Sequence, residues 1–238
     1  MDCFNKDQPW DWSSLDHSSA AKLLAGQFPD SHPEPYGSGD FCLAFKHGNE
    51  VIRMARHLDA AGALKRESCV LPKIAPRLPL PVPRPTYHAP DGFPPIAVHD
   101  EIVGEPLTRE DWEGMSISSR ERAASDLANF LKTLHALPIE IGLECGLVQI
   151  EASKMAHSLQ QKAADTIHPL LEPDVQRKFD HTLETCSSQP DDRSPALLHC
   201  DLGPGHVLYD PSTLHLTGVI DFGDLVIGDP ARDFIIYL

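Results

Sequence analysis

The sequence predicts an α+β fold, and three observations predict it. Alternating apolar residues at Phe41, Leu43 and Phe45, and a second strand over Val51-Ile52-Arg53-Met54, flank His47-Gly48-Asn49, which reads as a hairpin turn. Apolar positions Ala123, Leu127, Phe130, Leu131 and Leu134 recur at helical spacing. Towards the carboxyl end, residues 196–209 and 216–224 each deliver an acidic residue on a loop beside short apolar strands. A length of 238 residues admits one domain or two closely packed lobes.

In chain order, residues 18–24 cap and begin a short helix at Ser18, and Gly37-Ser38-Gly39 forms a glycine loop ahead of the first strand. After the hairpin, Asp59 is placed as the N-cap of a helix that carries Glu67 and Leu71 and stops at Pro72. Seven of the 22 prolines fall between residues 72 and 90, which excludes helix and central strand and predicts an extended connector. Its interspersed Leu71, Ile74, Leu78, Leu80 and Val82 demand burial, and Asp91-Gly92 makes a turn just beyond it. A short strand over residues 95–104 leads to the lobe boundary. The amphipathic helix then runs from Ser119 to near Pro138, residues 150–186 are mostly helical, and residues 189–195 form a loop.

With 20 Lys+Arg against 35 Asp+Glu, the chain carries a formal charge of −15. That repels nucleic acid and anionic membrane alike, and it attracts a cationic ligand. No apolar run approaches the roughly 20 residues needed to span a bilayer, and the amino terminus lacks the pattern of a signal peptide, so a cytoplasmic protein is expected. The six cysteines are scattered without a Cys-x-x-Cys pair and are expected to be reduced and structural. The thirteen histidines show no zinc spacing. Oligomeric state is left open.

The chemistry concentrates between residues 199 and 224. Asp201 and Asp221 lie on loops at strand ends, with His206 between them as a potential ligand. Two carboxylates so placed suit phosphoryl transfer, one contacting an acceptor hydroxyl and the other holding magnesium. The bland alternatives are a loop carboxylate capping backbone amides for Asp201 and a packing role for His206. Asp224 either faces the acceptor, where it would bind an ammonium group, or simply forms a turn after glycine.

His199-x-Asp201 with His206 five residues on, followed by Asp221-Phe222-Gly223 and Gly228-Asp229-Pro230, resembles the aminoglycoside phosphotransferases, a family of protein-kinase-like small-molecule kinases. Histidine at position 206, where many kinases carry asparagine, is closest to the 2″-phosphotransferase type. The resemblance implies a bilobal fold: a nucleotide-binding lobe over residues 1–98 with antiparallel sheet plus helix, a hinge at 99–104, and a mainly helical catalytic lobe over 105–238. The family continues past this point, so the last helices are expected to be lacking. It also implies ATP or GTP and Mg²⁺ as cofactors, with Asp201 catalytic and His206 and Asp221 on the metal. Ser38 would cover the phosphates, Arg53 would stand where the family has lysine and pair with Glu67, and backbone around Asp100 and Ile102 would hold the base. Arg56 and Lys46 are alternatives for the Arg53 role. Asp229 is implied to brace the catalytic loop, and Asp229 and Asp233 to cap the helix near Pro230. The implied activity is transfer of a γ-phosphate to a hydroxyl of a small cationic acceptor, an aminoglycoside antibiotic. Its alternatives are a kinase for a macrolide, choline or a sugar, and a catalytically impaired nucleotide-binding regulatory module.

Overall fold

The computed structural model describes residues 14–27, 33–91, 93–188 and 194–237. The expected turn at Gly92, residues 189–193 of the expected loop, and Leu238 lie outside them. In chain order the elements are α1 (His17–Gln27), β1 (Glu34–Ser38), β2 (Cys42–His47), β3 (Glu50–Ala55), α2 (Leu58–Ile74), β4 (Thr86–His88) and β5 (Ile96–Asp100). There follow β6 (Glu105–Pro106), α3 (Arg109–Gly114), α4 (Ile117–His135), α5 (Glu140–Glu144), α6 (Ala152–Thr166) and α7 (Pro173–Ser188). Last come β7 (Ala196–Leu198), β8 (Val207–Asp210), β9 (His215–Val219), β10 (Val226–Gly228) and a 3-10 helix over Pro230–Tyr237. Antiparallel sheet in the amino-terminal region with helices around and after it is the expected α+β class.

The chain divides into two compact units, residues 1–133 with 201–224 and residues 134–200 with 225–238. In the first, β1 to β5 form one antiparallel sheet in the order β1-β2-β3-β5-β4. Gly48, at φ +60°, supplies the left-handed residue of the β2–β3 hairpin. The period of two then sorts the side chains. Leu43, Phe45, Ile52, Met54 and Ile96 pack on one face with Ala20 and Leu24 of α1. The opposite face takes Ala55 and Ala97 against Ala60, Ala61 and Leu64 of α2, and leaves Val51, Arg53 and His99 beside them.

Helix ends depart from expectation where a cap lies two or three residues upstream of the expected one. Asp16, not Ser18, caps α1, its Oδ1 accepting the Ser19 N–H at 2.7 Å. At α2 the His57 ring accepts the Ala60 N–H at 3.2 Å, while Asp59 occupies the first turn. Ser116 starts α4 ahead of Ser119, accepting the Ser119 N–H at 3.2 Å. The helix α2 also runs through Pro72 to Ile74. Proline removes one backbone bond there, in the last turn, and the buried Val70, Leu71 and Ile74 hold the turn regardless. Extended backbone begins only after a 3-10 turn over Ala75–Arg77. Beyond it Leu80 and Val82 are buried as expected, and Pro81 O accepts the Val219 N–H at 2.9 Å.

A second, three-stranded sheet of the first unit has the order β6-β8-β9. In the second unit β7 pairs antiparallel with β10, α6 packs on α7, and Leu197, Leu198 and Ile227 are fully buried. Cys69 and Cys145 are disulfide-bonded, against the expectation of reduced thiols, whereas Cys42, Cys186 and Cys200 are free. Linear spacing carries no signal for proximities that folding creates. No helix among the described residues is long and apolar enough to cross a membrane.

Gly218 tests the packing beneath the site. A Cβ there would lie 2.6 Å from Ile102 Cγ2 and 2.8 Å from the Pro81 carbonyl oxygen, and the latter is backbone that cannot rotate away. Gly218→Ala should lower unfolding free energy by about 1–3 kcal/mol in urea denaturation.

Candidate active site

Backbone pairing creates the site at the open ends of β8 and β9. Val207 is paired with Val219, and one step further the Ile220 N–H donates to His206 O at 2.9 Å. The residues just before β8 and just after β9 are thus fastened side by side. Ahead of β8 the loop folds on itself, with Gly203 N–H donating to Asp201 O at 2.8 Å and His206 N–H to Gly203 O at 2.9 Å. Pro204, with φ preset, opens the 3-10 turn that carries His206. After β9 the chain bends at Asp221, whose φ of +62° is in the left-handed region that side chains disfavour. Phe222, fully buried, anchors the next position.

Asp201, His206 and Asp221 offer ligand atoms that all lie within 4.8 Å of one another. His206 Nδ1 is 2.5 Å from the Asp201 carbonyl oxygen, an acceptor only, which puts the ring proton on Nδ1. Nε2 lies 3.5 Å from Asp221 Oδ2. An imidazole oriented by a carbonyl, with its other nitrogen facing a carboxylate, is a donor set that a divalent cation can use. Magnesium prefers oxygen, and the carboxylates of Asp221 and Asp201 supply it.

Across the cleft, Arg53 Nη1 donates to both carboxylate oxygens of Glu67 at 2.7 and 2.8 Å, and its Nη2 donates to Asp221 Oδ1 at 3.2 Å. Glu67 is only 1% exposed, and burial pushes its carboxyl above the usual range while the Arg53 charge opposes the rise. Burial also works against the Arg53 charge, but Glu67, Cys42 and Asp221 outweigh it and hold the guanidinium ionised. Of the alternatives, Arg56 donates to Gly39 O and Lys46 pairs with Glu101, so the ion pair with Glu67 belongs to Arg53. Cys42 shares this cleft, and burial pushes its thiol up to about 11.

A cavity of about 750 Å³ joins these groups within the first unit. Ser38, Arg53, Ile102, Asp201, His206, Asp221 and Asp224 all line it. Glu67 stands behind Arg53, and Asp100 is not on the cavity wall: its side chain is exposed at the end of β5. Burial, then the charges of Asp201 and Asp221, raise the Asp224 carboxyl above the ordinary range. At the rim, Glu101 accepts from Tyr36 at 3.1 Å and from Lys46 at 2.8 Å. His99 and Glu101 were not singled out from sequence. The available signal was a histidine on the buried phase of an otherwise apolar strand.

In the second unit the loop brace comes from Asp233. This buried carboxylate accepts the Cys200 N–H at 2.7 Å and the His199 N–H at 3.2 Å, and holds His135 Nε2 at 2.7 Å. Asp233 therefore does not cap the terminal 3-10 helix as expected. Asp229 caps the turn, accepting the Ala231 N–H at 2.9 Å. The difference arises because Asp233 lies within the helix, on a face turned to the backbone that precedes Asp201.

Residues 43–238 match the model of a phosphotransferase enzyme family. The chain belongs to that family. An aminoglycoside 3'-phosphotransferase of Streptomyces fradiae is 27% identical over 155 residues, which cover 65% of this chain and 56% of that protein, little more than half its length. The GDP and kanamycin complex of an APH(2″)-III enzyme superposes with a TM-score of 0.81 at 27% identity, covering 90% of this chain and 75% of the other. The GDP complex of wild-type aminoglycoside 2'-phosphotransferase-IIIa gives 0.82 at 25% identity, with the same coverage. The resemblance carried by the residues 199–230 is thus borne out for family and fold.

Arg53→Ala would leave Glu67 buried without its counter-charge and should cost about 3–5 kcal/mol at pH 7. Arg53→Lys should cost less, because an ammonium retains a contact but not the fork. With nothing opposing its burial, Glu67 in Arg53→Ala would have a folded-state pKa above its unfolded value of 4.5. The native state then binds the extra proton, so stability should fall as pH rises from that value towards neutrality. Urea denaturation across that range checks both.

Proposed function

We propose that this chain is an NTP-dependent small-molecule O-phosphotransferase acting on aminoglycosides in the cytoplasm, where nucleoside triphosphate is supplied. The observation that carries the proposal is the grouping of Asp201, His206 and Asp221 within 4.8 Å on a cavity that also holds the Arg53–Glu67 pair. Family membership and the kanamycin complex of a structural relative support the acceptor class.

In this reading Asp201 orients an acceptor hydroxyl through its carboxylate and takes the proton as the oxygen bonds to the γ-phosphorus. The bond from that phosphorus to the β–γ bridging oxygen breaks, and the nucleoside diphosphate leaves. Such a transition state is loose, so alignment and charge neutralisation outweigh early proton removal. His206 and Asp221 would hold Mg²⁺, which supplies charge neutralisation between phosphate oxygens. Arg53, set in place by Glu67, would keep the Asp221 carboxylate oriented, and Ser38 would cover the phosphates. Asp224 offers a carboxylate to an acceptor ammonium group. Residues 1–98 would serve the nucleotide, 99–104 the hinge with Ile102 and the Asp100 backbone, and 105–238 the acceptor. The product is a modified, inactivated antibiotic, hence resistance.

A coupled assay of nucleoside triphosphate consumption against aminoglycosides, macrolides and amino alcohols tests this. An aminoglycoside should stimulate turnover, and Asp201→Asn should lower kcat by about 10²–10⁴-fold with nucleotide affinity retained. If no acceptor raises consumption above the Asp201→Asn control, the chain is not this enzyme.

A further inference from the structure

His99 carries no role in the phosphoryl-transfer chemistry, yet it is 8% exposed and lines the cavity. It lies on β5 opposite Val51, on the same sheet face as Arg53 and one two-residue step further along the strands. Its Nδ1 is 2.8 Å from the Asp100 carbonyl oxygen. A carbonyl only accepts, so the proton is on Nδ1 and Nε2 bears the lone pair. Burial lowers the pKa of the ring, which favours its neutral form. Among the described residues Nε2 has no partner. The cavity wall therefore contains a fixed acceptor that can pair with an N–H donor on whatever occupies the space.

We infer that His99 selects the nucleobase, and that it selects adenine, whose 6-amino group donates, over guanine, whose 6-oxo group can only accept. The inference rests on the phosphotransferase reading and adds the donor class to it. It is not supplied by similarity, since the two structural relatives above hold GDP. A 6-oxo purine facing Nε2 would set two acceptors against each other and leave both desolvated without a bond. A site built to bond a substrate N–H discriminates more sharply than an apolar one for this reason.

Calorimetric titration of the full chain with ATP, GTP and inosine triphosphate, in magnesium, tests it. Inosine exchanges the 6-amino donor of adenosine for a 6-oxo acceptor with a proton on N1, and it lacks the 2-amino group of guanosine, so it tests the 6-position edge without that group. The wild type should bind ATP at least about tenfold more tightly than either 6-oxo nucleotide, the worth of one good hydrogen bond. His99→Leu should bring the ratio towards one, mainly by weakening ATP, and His99→Gln, which restores an acceptor oxygen, should recover the preference. Equal or tighter binding of inosine triphosphate by the wild type overturns the inference, as does a preference unchanged in His99→Leu. Binding of none of the three overturns the phosphotransferase reading itself, and the inference with it.

Discussion

The guanidinium of Arg53 is the constraint on which the rest of the site depends. It joins two carboxylates, one 14 residues away in α2 and one 168 residues away after β9. A buried charge must be paired, and a planar fork can face two partners where a single ammonium point charge could not hold the same geometry. The pairing fixes the sheet as well. Arg53 is on the cleft face only while β3 keeps its register with β2 and β5. A slip of one residue would bring it to the face occupied by Leu43, Phe45 and Met54, where no carboxylate waits. Apolar packing on one face and an ion pair on the other therefore specify the same register.

Strain at Asp221 is the local counterpart of that constraint. A non-glycine residue in the left-handed region costs on the order of 1–3 kcal/mol and persists only where neighbours over-determine it. Three neighbours do so here: the Ile220–His206 backbone bond before it, the Arg53 contact on its side chain, and the burial of Phe222 after it. Each belongs to a different level of structure, and together they hold the carboxylate beside the His206 ring.

Much of this was legible in the sequence because it is encoded by period and by motif. The β2–β3 hairpin follows from alternation, and the helical phase of α4 from Ala123, Phe130, Leu131 and Leu134, all buried. The acids at 201 and 221 stand out because short apolar strands deliver them. What was not legible depends on distance in space. Caps by Asp16 and His57 turn on which side chain reaches the first free N–H, and Pro72 is tolerated because of its position in the last helical turn. The brace from Asp233 to residues 199 and 200 connects chain segments that no local pattern relates. His99 escaped notice for a different reason. A single polar residue on a buried strand phase has the pattern of an ordinary core position until the cavity beside it is seen.

Charge in the cavity is unbalanced, and the imbalance bears on what the site accepts. Asp201, Asp221 and Asp224 line the cavity with one guanidinium, and that guanidinium is already matched by the bidentate contact to Glu67. His206, with Nδ1 committed to a carbonyl, is an orienting group whose Nε2 faces Asp221. The rise of the Asp224 carboxyl, driven by its burial and then by Asp201 and Asp221, is the expression of that crowding. Within the proposed activity two kinds of ligand would relieve it at different points: a divalent ion held by Asp221 and His206, and an ammonium beside Asp224. A neutral acceptor would relieve only the first, which is why the acidic wall favours a polycationic acceptor over a sugar within the proposed activity.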